Sequence, residues 1–257
     1  MNVIIPLGGK GERFKNEGYI EPKPLIKVLG KEILFHVIDN LFLNEPGLNI
    51  NIYIIYNNEL DQYNFADIIR VKYPMIHLIK LEHDTRGAAE TVYIGINEIL
   101  KLENNKNNIY KKTLLIDGDT FYTRNIIDMF YNNPFDTKND YGAIFYTKNS
   151  NPNPIFSYII YDSYNNIVTE IIEKVKISDN ANTGAYGFAN INELQHYAKY
   201  VLDNNITFKN EFYTSCIIDC MIKAGYGFRA IELTDEDVHV LGTPSQVRAF
   251  IESYSNK

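Results

Sequence analysis

The chain is poor in cysteine, in basic residues and in long apolar runs, and each shortage removes a class of function. Cys216 and Cys220 are the only cysteines among 257 residues. Four residues apart, they fall on one face of a helix, and two sulfur ligands without nearby partners make a poor zinc site. They read as buried free thiols in a reducing cytoplasm. The apolar run at residues 2–7 is too short for a signal sequence or a membrane span, so no membrane insertion is expected. Lys and Arg number 25 against 32 Asp and Glu, a formal charge of −7. That balance argues against nucleic acid as a partner, because phosphate contacts along a duplex need clustered cations. A nucleotide stays compatible, since a few local cations suffice for a triphosphate.

Two glycine motifs are also incomplete. Phe14 stands where a dinucleotide fingerprint has its third glycine, which disfavours a nicotinamide-dependent dehydrogenase. No Gly-Lys-Ser/Thr follows, as a P-loop would require.

What is present is an alternation of strand and helix patterns. With 45% hydrophobic residues the chain can bury a full core, as one large domain or a domain with a subdomain. Residues 2–7, 51–56, 76–81 and 113–117 read as buried strands. Helical spacing appears at 34–42, stopping near Pro46-Gly47, and at 61–73 and 88–100. Residues 103–112, with four Asn, read as a surface loop. This order predicts an α/β fold: a Rossmann-like, mainly parallel sheet sandwiched by helices. After a turn-rich break at 149–154 the texture changes. Residues 158–161 and 167–172 read as a hairpin, 184–189 as a strand, and 193–202, 212–223 and 244–254 as helices. The expected organisation is a single domain, with a nucleotide-binding part at 1–150 and a β-rich acceptor-binding part at 151–257.

Ligands of such sheets lie beyond the carboxyl ends of the strands, so the loops after Leu7, Leu81 and Asp117 carry the expected chemistry. Gly8, Gly9 and Gly11 let backbone N–H groups approach an anion closely. Arg13 adds a fork suited to phosphate oxygens, and Lys23 a compact charge on a loop stiffened by Pro22 and Pro24.

In order along the chain, several segments resemble the sugar-phosphate nucleotidylyltransferase superfamily. They are the glycine loop with Arg13, Pro22-Lys23-Pro24-Leu25, Gly30-Lys31, Thr85-Arg86-Gly87, Asp117-Gly118-Asp119, Glu173-Lys174, Asn182-Thr183-Gly184 and Gly242-Thr243-Pro244. The resemblance implies a nucleotide-diphospho-sugar transferase-like fold and Mg²⁺-dependent transfer of a nucleoside monophosphate to a phosphorylated acceptor. By it, Leu7, the glycines, Gly87 and Asp117 bind nucleotide, Arg13 holds the triphosphate and Lys23 the α-phosphate. Asp119 would bind Mg²⁺, while Glu173, Lys174 and Gly184 hold the acceptor. A second metal-binding Asp of the family is replaced by Val240, leaving one carboxylate or a substitute from Asp237 or His239.

The resemblance is greatest to the short enzymes of capsule and surface-polysaccharide loci, among them cytidylyltransferases acting on phosphocholine or phosphorylated glutamine. Many uridylyl- and thymidylyl-transferring relatives carry Gln five residues before the glycine matching Gly87; here Glu82 stands there. A carboxylate only accepts, which suits the N4 amino group of cytosine and favours CTP. Tyr158, Tyr186 and Tyr213 are either pocket walls for a sugar or amino-acid phosphate or ordinary core aromatics. Two alternatives stay open: a pyrophosphorylase using UTP or dTTP with a sugar 1-phosphate, and a non-catalytic nucleotide-sensing subunit. Homo-oligomerisation is left open too.

Overall fold

Alternate residues of the first strand, β1 (Asn2–Leu7), enter two different cores. Val3, Ile5 and Leu7 join one buried cluster and Ile4 the other, the period of two that a strand covered on both faces must show. The structure, a computed structural model, describes residues 1–42, 49–102, 111–135 and 137–255. The helix stop expected at Pro46-Gly47 and most of the Asn-rich stretch lie outside them.

After β1 come α1 (Glu12–Asn16), β2 (Lys27–Val28), β3 (Lys31–Glu32), α2 (Ile33–Phe42), β4 (Asn51–Asn57) and α3 (Phe65–Lys72). They are followed by β5 (His77–Leu81), α4 (Ala88–Leu102), β6 (Thr113–Ile116), β7 (Thr120–Tyr122) and α5 (Ile126–Tyr131). The second half contains β8 (Gly142–Lys148), β9 (Ser157–Asp162), β10 (Ile167–Glu173), β11 (Asn180–Phe188) and α6 (Ile191–Asp203). It ends with α7 (Thr214–Lys223), β12 (Phe228–Glu232), β13 (Val238–Val240) and α8 (Pro244–Ser255).

Nine strands form one sheet in the order β5-β4-β1-β6-β11-β8-β12-β10-β9. The first four are mutually parallel, as the strand–helix alternation predicts. From β11 onward the pairing is largely antiparallel, with β12 and β8 a parallel exception. The α/β expectation holds, with its parallel character concentrated in the first half. The chain leaves β1 toward β4 on one side and returns as β6 on the other. That reversal opens a crevice beyond the carboxyl ends of β1 and β6, where ligands of open α/β sheets bind.

One expected helix differs. Residues 61–73 are not a single helix: a 3₁₀ turn at Asn58–Tyr63 is followed by Asn64 in the left-handed region (φ 55°), and only then by α3. The Asn57 side chain caps the 3₁₀ turn by accepting from the Glu59 N–H at 2.9 Å. Asn is among the few residues that visit the left-handed region readily, so the break falls there. The cysteines lie on α7 as expected and are free, but half-buried rather than buried.

Candidate active site

The loop leaving β1 is fastened from below. Asn57, buried at the end of β4, donates to the Gly8 carbonyl at 3.4 Å and to Asp84 at 3.0 Å. Lys10 ties the same Asp84 (2.6 Å) to Glu59 (3.1 Å). Behind Gly8 stands a hydroxyl pair, Thr85 and Thr91, 2.7 Å apart. A β-carbon on Gly8 would lie 2.2 Å from the Thr91 hydroxyl, so no larger residue fits without displacing it. The loop, with Lys23, Thr85, Arg86 and Gly87, lines a cavity of about 480 Å³. Lys23 opens a short 3₁₀ turn, Lys23–Leu25, and sits between two prolines that fix its backbone.

Asp117 and Asp119 lie in the turn between β6 and β7, where this cavity meets a second one of about 890 Å³. Asp119 forms an ion pair with Lys23. Burial works to raise the Asp119 carboxyl, but the Lys23 ammonium and the Thr120 hydroxyl outweigh it and hold it below the ordinary carboxylate range. Asp117 goes the other way, raised first by burial and then by the charge of Asp119. The small sheet of β7 and β13 brings the late Gly-Thr-Pro turn to the same point, with the Leu241 N–H donating to the Asp119 carbonyl at 2.7 Å.

These two carboxylates suit a hard divalent ion. Among the described residues no cluster of three or more His, Cys, Asp or Glu could hold a metal. A bound ion would therefore take its remaining ligands from substrate oxygens and water, the arrangement Mg²⁺ prefers. Neither Asp237 nor His239 lines either cavity. Asp237 accepts from the Thr234 N–H (3.0 Å) and hydroxyl (2.8 Å), and the His239 ring packs 4.7 Å from Phe121. Val240 itself forms part of the wall of the larger cavity.

The larger cavity is lined by the acceptor-side residues. Glu173, at the end of β10, accepts from Ser215 at 2.7 Å, and burial above all pushes its carboxyl upward. Lys174 follows in the left-handed region (φ 49°), which turns its ammonium onto Tyr213. There it donates to the phenol oxygen and lies 4.2 Å over the ring, while the phenol donates to Glu211. Tyr186 also lines this cavity, whereas Tyr158 is fully buried in the core.

The sequence expectations thus converge, with two exceptions. Leu7, Gly8, Gly9, Gly11, Lys23 and Gly87 surround the smaller cavity; Glu173, Lys174 and Gly184 line the larger; Asp117 and Asp119 face both. Arg13, expected on the triphosphate, lines the larger cavity. Glu82 is exposed and lies outside the walls of both cavities; Thr85, Arg86 and Gly87 form the nearby wall instead. Its position beyond the end of β5 fixes a distance along the chain but not a direction.

Sequence reasoning also missed Asn182. This residue is 4% exposed and lines the larger cavity; its side-chain oxygen accepts from the Gly184 N–H at 2.6 Å, and its buried NH₂ group has no protein acceptor. Its only sequence signal was its place in the Asn182-Thr183-Gly184 segment.

Known proteins share this architecture. A nucleoside-diphosphate-sugar pyrophosphorylase from Vibrio cholerae RC9 superposes with a TM-score of 0.78 over 98% of this chain and 100% of that one, at 20% identity. A CTP:phosphocholine cytidylyltransferase from Streptococcus pneumoniae gives 0.70 over 98% of each chain, at 17% identity. At these identities the likeness establishes the fold. In sequence, the chain is 24% identical over 254 residues to the bifunctional protein GlmU of Thermodesulfovibrio yellowstonii. The match takes in 92% of this chain and 48% of that relative, so the chain spans about half its length. The family model described as nucleotidyl transferase matches residues 2–230, and the protein belongs to that family.

Proposed function

We propose that the protein is a nucleotidylyltransferase that moves a nucleoside monophosphate from an NTP to a phosphorylated small molecule and releases pyrophosphate. One observation carries this reading: two cavities of different chemistry meet at a pair of carboxylates. A glycine-rich anion loop with Lys23 lies on one side; Arg13, Glu173, Lys174 and Asn182 lie on the other. A phosphate oxygen of the acceptor forms the new bond to the α-phosphorus. The bond from that phosphorus to the bridging oxygen breaks, and its electrons leave on pyrophosphate. Such transfer needs little covalent help, only in-line positioning and cations over the phosphate oxygens. In this reading Lys23 steadies the α-phosphate and Lys174 and Arg13 orient the acceptor's phosphate. Asp119, with Asp117 beside it, would hold Mg²⁺, which neutralises developing charge on the phosphates.

The finer reading is CTP as donor and a phosphorylated precursor of capsule or surface polysaccharide, such as phosphoglutamine, as acceptor. It draws on the resemblance to the short cytidylyltransferases and on the smaller cavity, whose described walls include no glutamine to pair with uracil or thymine. Residues 1–150 form the nucleotide part and 151–257 the acceptor part. A nucleoside triphosphate donor fits a cytoplasmic enzyme. Among the described residues no helix is long and apolar enough to cross a membrane.

Pyrophosphate release decides the matter. CTP, UTP, dTTP, GTP and ATP are each offered with phosphoglutamine, phosphocholine and a set of sugar 1-phosphates, with Mg²⁺ present. CTP with an amino-acid or amino-alcohol phosphate is the expected pair. UTP or dTTP with a sugar 1-phosphate would replace the finer reading, and silence from all pairs would overturn the enzyme.

A further inference from the structure

The ion pair between Lys23 and Asp119 joins residues 96 positions apart and lies at the junction of the two cavities. Both side chains are largely buried, at 25% and 22% exposure. The two oxygens of the Asp119 carboxylate differ: Thr120 donates to Oδ1 at 3.2 Å, whereas Oδ2 faces Gly242, where a β-carbon would lie 2.8 Å away and its absence leaves room. Val240 adds an apolar wall rather than a second carboxylate. The oxygen that Lys23 engages, Oδ2, is therefore the one left for a divalent ion, and an ammonium already holds it.

We infer that Lys23 plugs the metal position: without nucleotide its ammonium occupies Asp119 and keeps a divalent ion out, and the metal enters only together with a triphosphate. This rests on the nucleotidyl-transfer reading. Free metal would have to break the Lys23–Asp119 ion pair while gaining too few protein ligands to hold it. The tethered ammonium competes at a high effective concentration. A triphosphate changes both sides of this balance. Its oxygens accept the Lys23 ammonium, and others complete the coordination that one or two carboxylates cannot. Because Pro22 and Pro24 fix the backbone around Lys23, the switch is a swing of the side chain. Metal-free Asp117 and Asp119 are meanwhile never left facing each other without a counter-charge.

A structural role alone, pinning the 22–25 segment to the end of β6, makes a different prediction. It would let Lys23→Met lower stability without creating a metal site. The experiment is Mn²⁺ binding, followed by the electron-spin resonance of free Mn²⁺, in wild type and Lys23→Met with and without CTP. Without nucleotide, Lys23→Met is expected to bind Mn²⁺ about ten-fold or more tighter than wild type. Adding Asp119→Asn to it should erase the gain, and CTP should restore tight binding to wild type. Equal nucleotide-free affinities in wild type and Lys23→Met would overturn the proposal, as would wild-type affinity that is as high without CTP as with it. Should Lys23→Met not fold, Lys23→Gln takes its place. Failure of every NTP to bind wild type in calorimetry would count against the nucleotidyl-transfer reading instead, because the nucleotide-free comparison still decides whether Lys23 closes the site.

Discussion

Gly184 faces Asp117 so closely that a β-carbon on the glycine would lie 2.5 Å from the carboxylate Oδ2 and 2.8 Å from Cγ. Gly184 also holds φ at +85°, and its carbonyl accepts the Asp117 N–H at 2.8 Å. The end of β6 and the middle of β11 are thus fastened at the point where the two cavities join. Gly184→Ala suffers twice, from a left-handed backbone worth about 1–2 kcal/mol and from the carboxylate it displaces. Denaturant unfolding should show the loss. In an Asp117→Ala background, where the carboxylate is gone and only the Cβ contact at 2.9 Å remains, the same change should be milder by about 1 kcal/mol. Equal losses in the two backgrounds would disprove the contact.

The Asp119 carboxylate offers a harder test of the chemistry. Asp119→Asn keeps the shape and removes the charge that a divalent ion needs, so transfer should fall by roughly three orders of magnitude with the circular dichroism unchanged. EDTA should silence the wild type, and added Mg²⁺ should restore it. Undiminished turnover in EDTA would remove the metal from the mechanism.

Lys23 lines only the smaller cavity and Lys174 only the larger. Lys174→Ala should accordingly raise the acceptor KM about ten-fold or more and leave NTP affinity unchanged. Lys23→Ala should act mainly on kcat, because its cation matters most as charge shifts at the α-phosphate. If both variants harm NTP affinity equally, the division of the cleft into nucleotide and acceptor sides is wrong.

Glu173 sets function against stability. Burial raises its carboxyl above the ordinary value of 4.5, so the folded state disfavours its charge. Below 4.5 folded and unfolded chains are both protonated there and nothing is lost. As pH rises from that point through the raised folded-state value, the wild type loses stability that Glu173→Gln retains. The variant should melt a few degrees higher than wild type near pH 7.5, about 2–4 °C per kcal/mol gained, and lose that advantage near pH 4. Its acceptor KM should worsen at the same time. A variant less stable than wild type at neutral pH would show that the carboxylate is compensated by partners beyond Ser215.

Much of this site was legible because its parts end strands. A short apolar run stopping at Gly8 or at Asp117 announces both the strand and the loop that follows it. Side-chain direction and long-range pairing were not legible. Nothing near Arg13 in the chain turns it toward the larger cavity, and the Lys23–Asp119 pair depends on how β1 and β6 are placed side by side. Antiparallel pairing after β11 is likewise tertiary, since short strands such as β9 and β12 read the same in either orientation. The expected helix across residues 61–73 failed at one asparagine, because apolar spacing continues through Asn64 while the backbone does not.

Base choice is the sharpest case of that limit. Glu82 stands at the position where many uridylyl and thymidylyl relatives carry glutamine, yet it is exposed and lines neither cavity. A solvated carboxylate has little leverage on a base, because hydrogen bonds discriminate strongly only where an unpaired partner stays desolvated. The wall of the smaller cavity beyond β5 is instead Thr85, Arg86 and Gly87, held by their neighbours. The Arg86 side chain is clamped by Glu90 at 2.7 Å and stacked 4.7 Å from the Phe212 ring centre. Gly87, at φ +148°, has no room for a β-carbon, which would lie 2.3 Å from the Phe212 carbonyl. Glu82→Gln should therefore leave the ratio of kcat/KM for CTP to that for UTP within about two-fold of wild type. Gly87→Ala should impair every NTP together by pushing this wall off Phe212. A large swing toward UTP in Glu82→Gln would mean that the loop after β5 closes over bound nucleotide and carries Glu82 to the base.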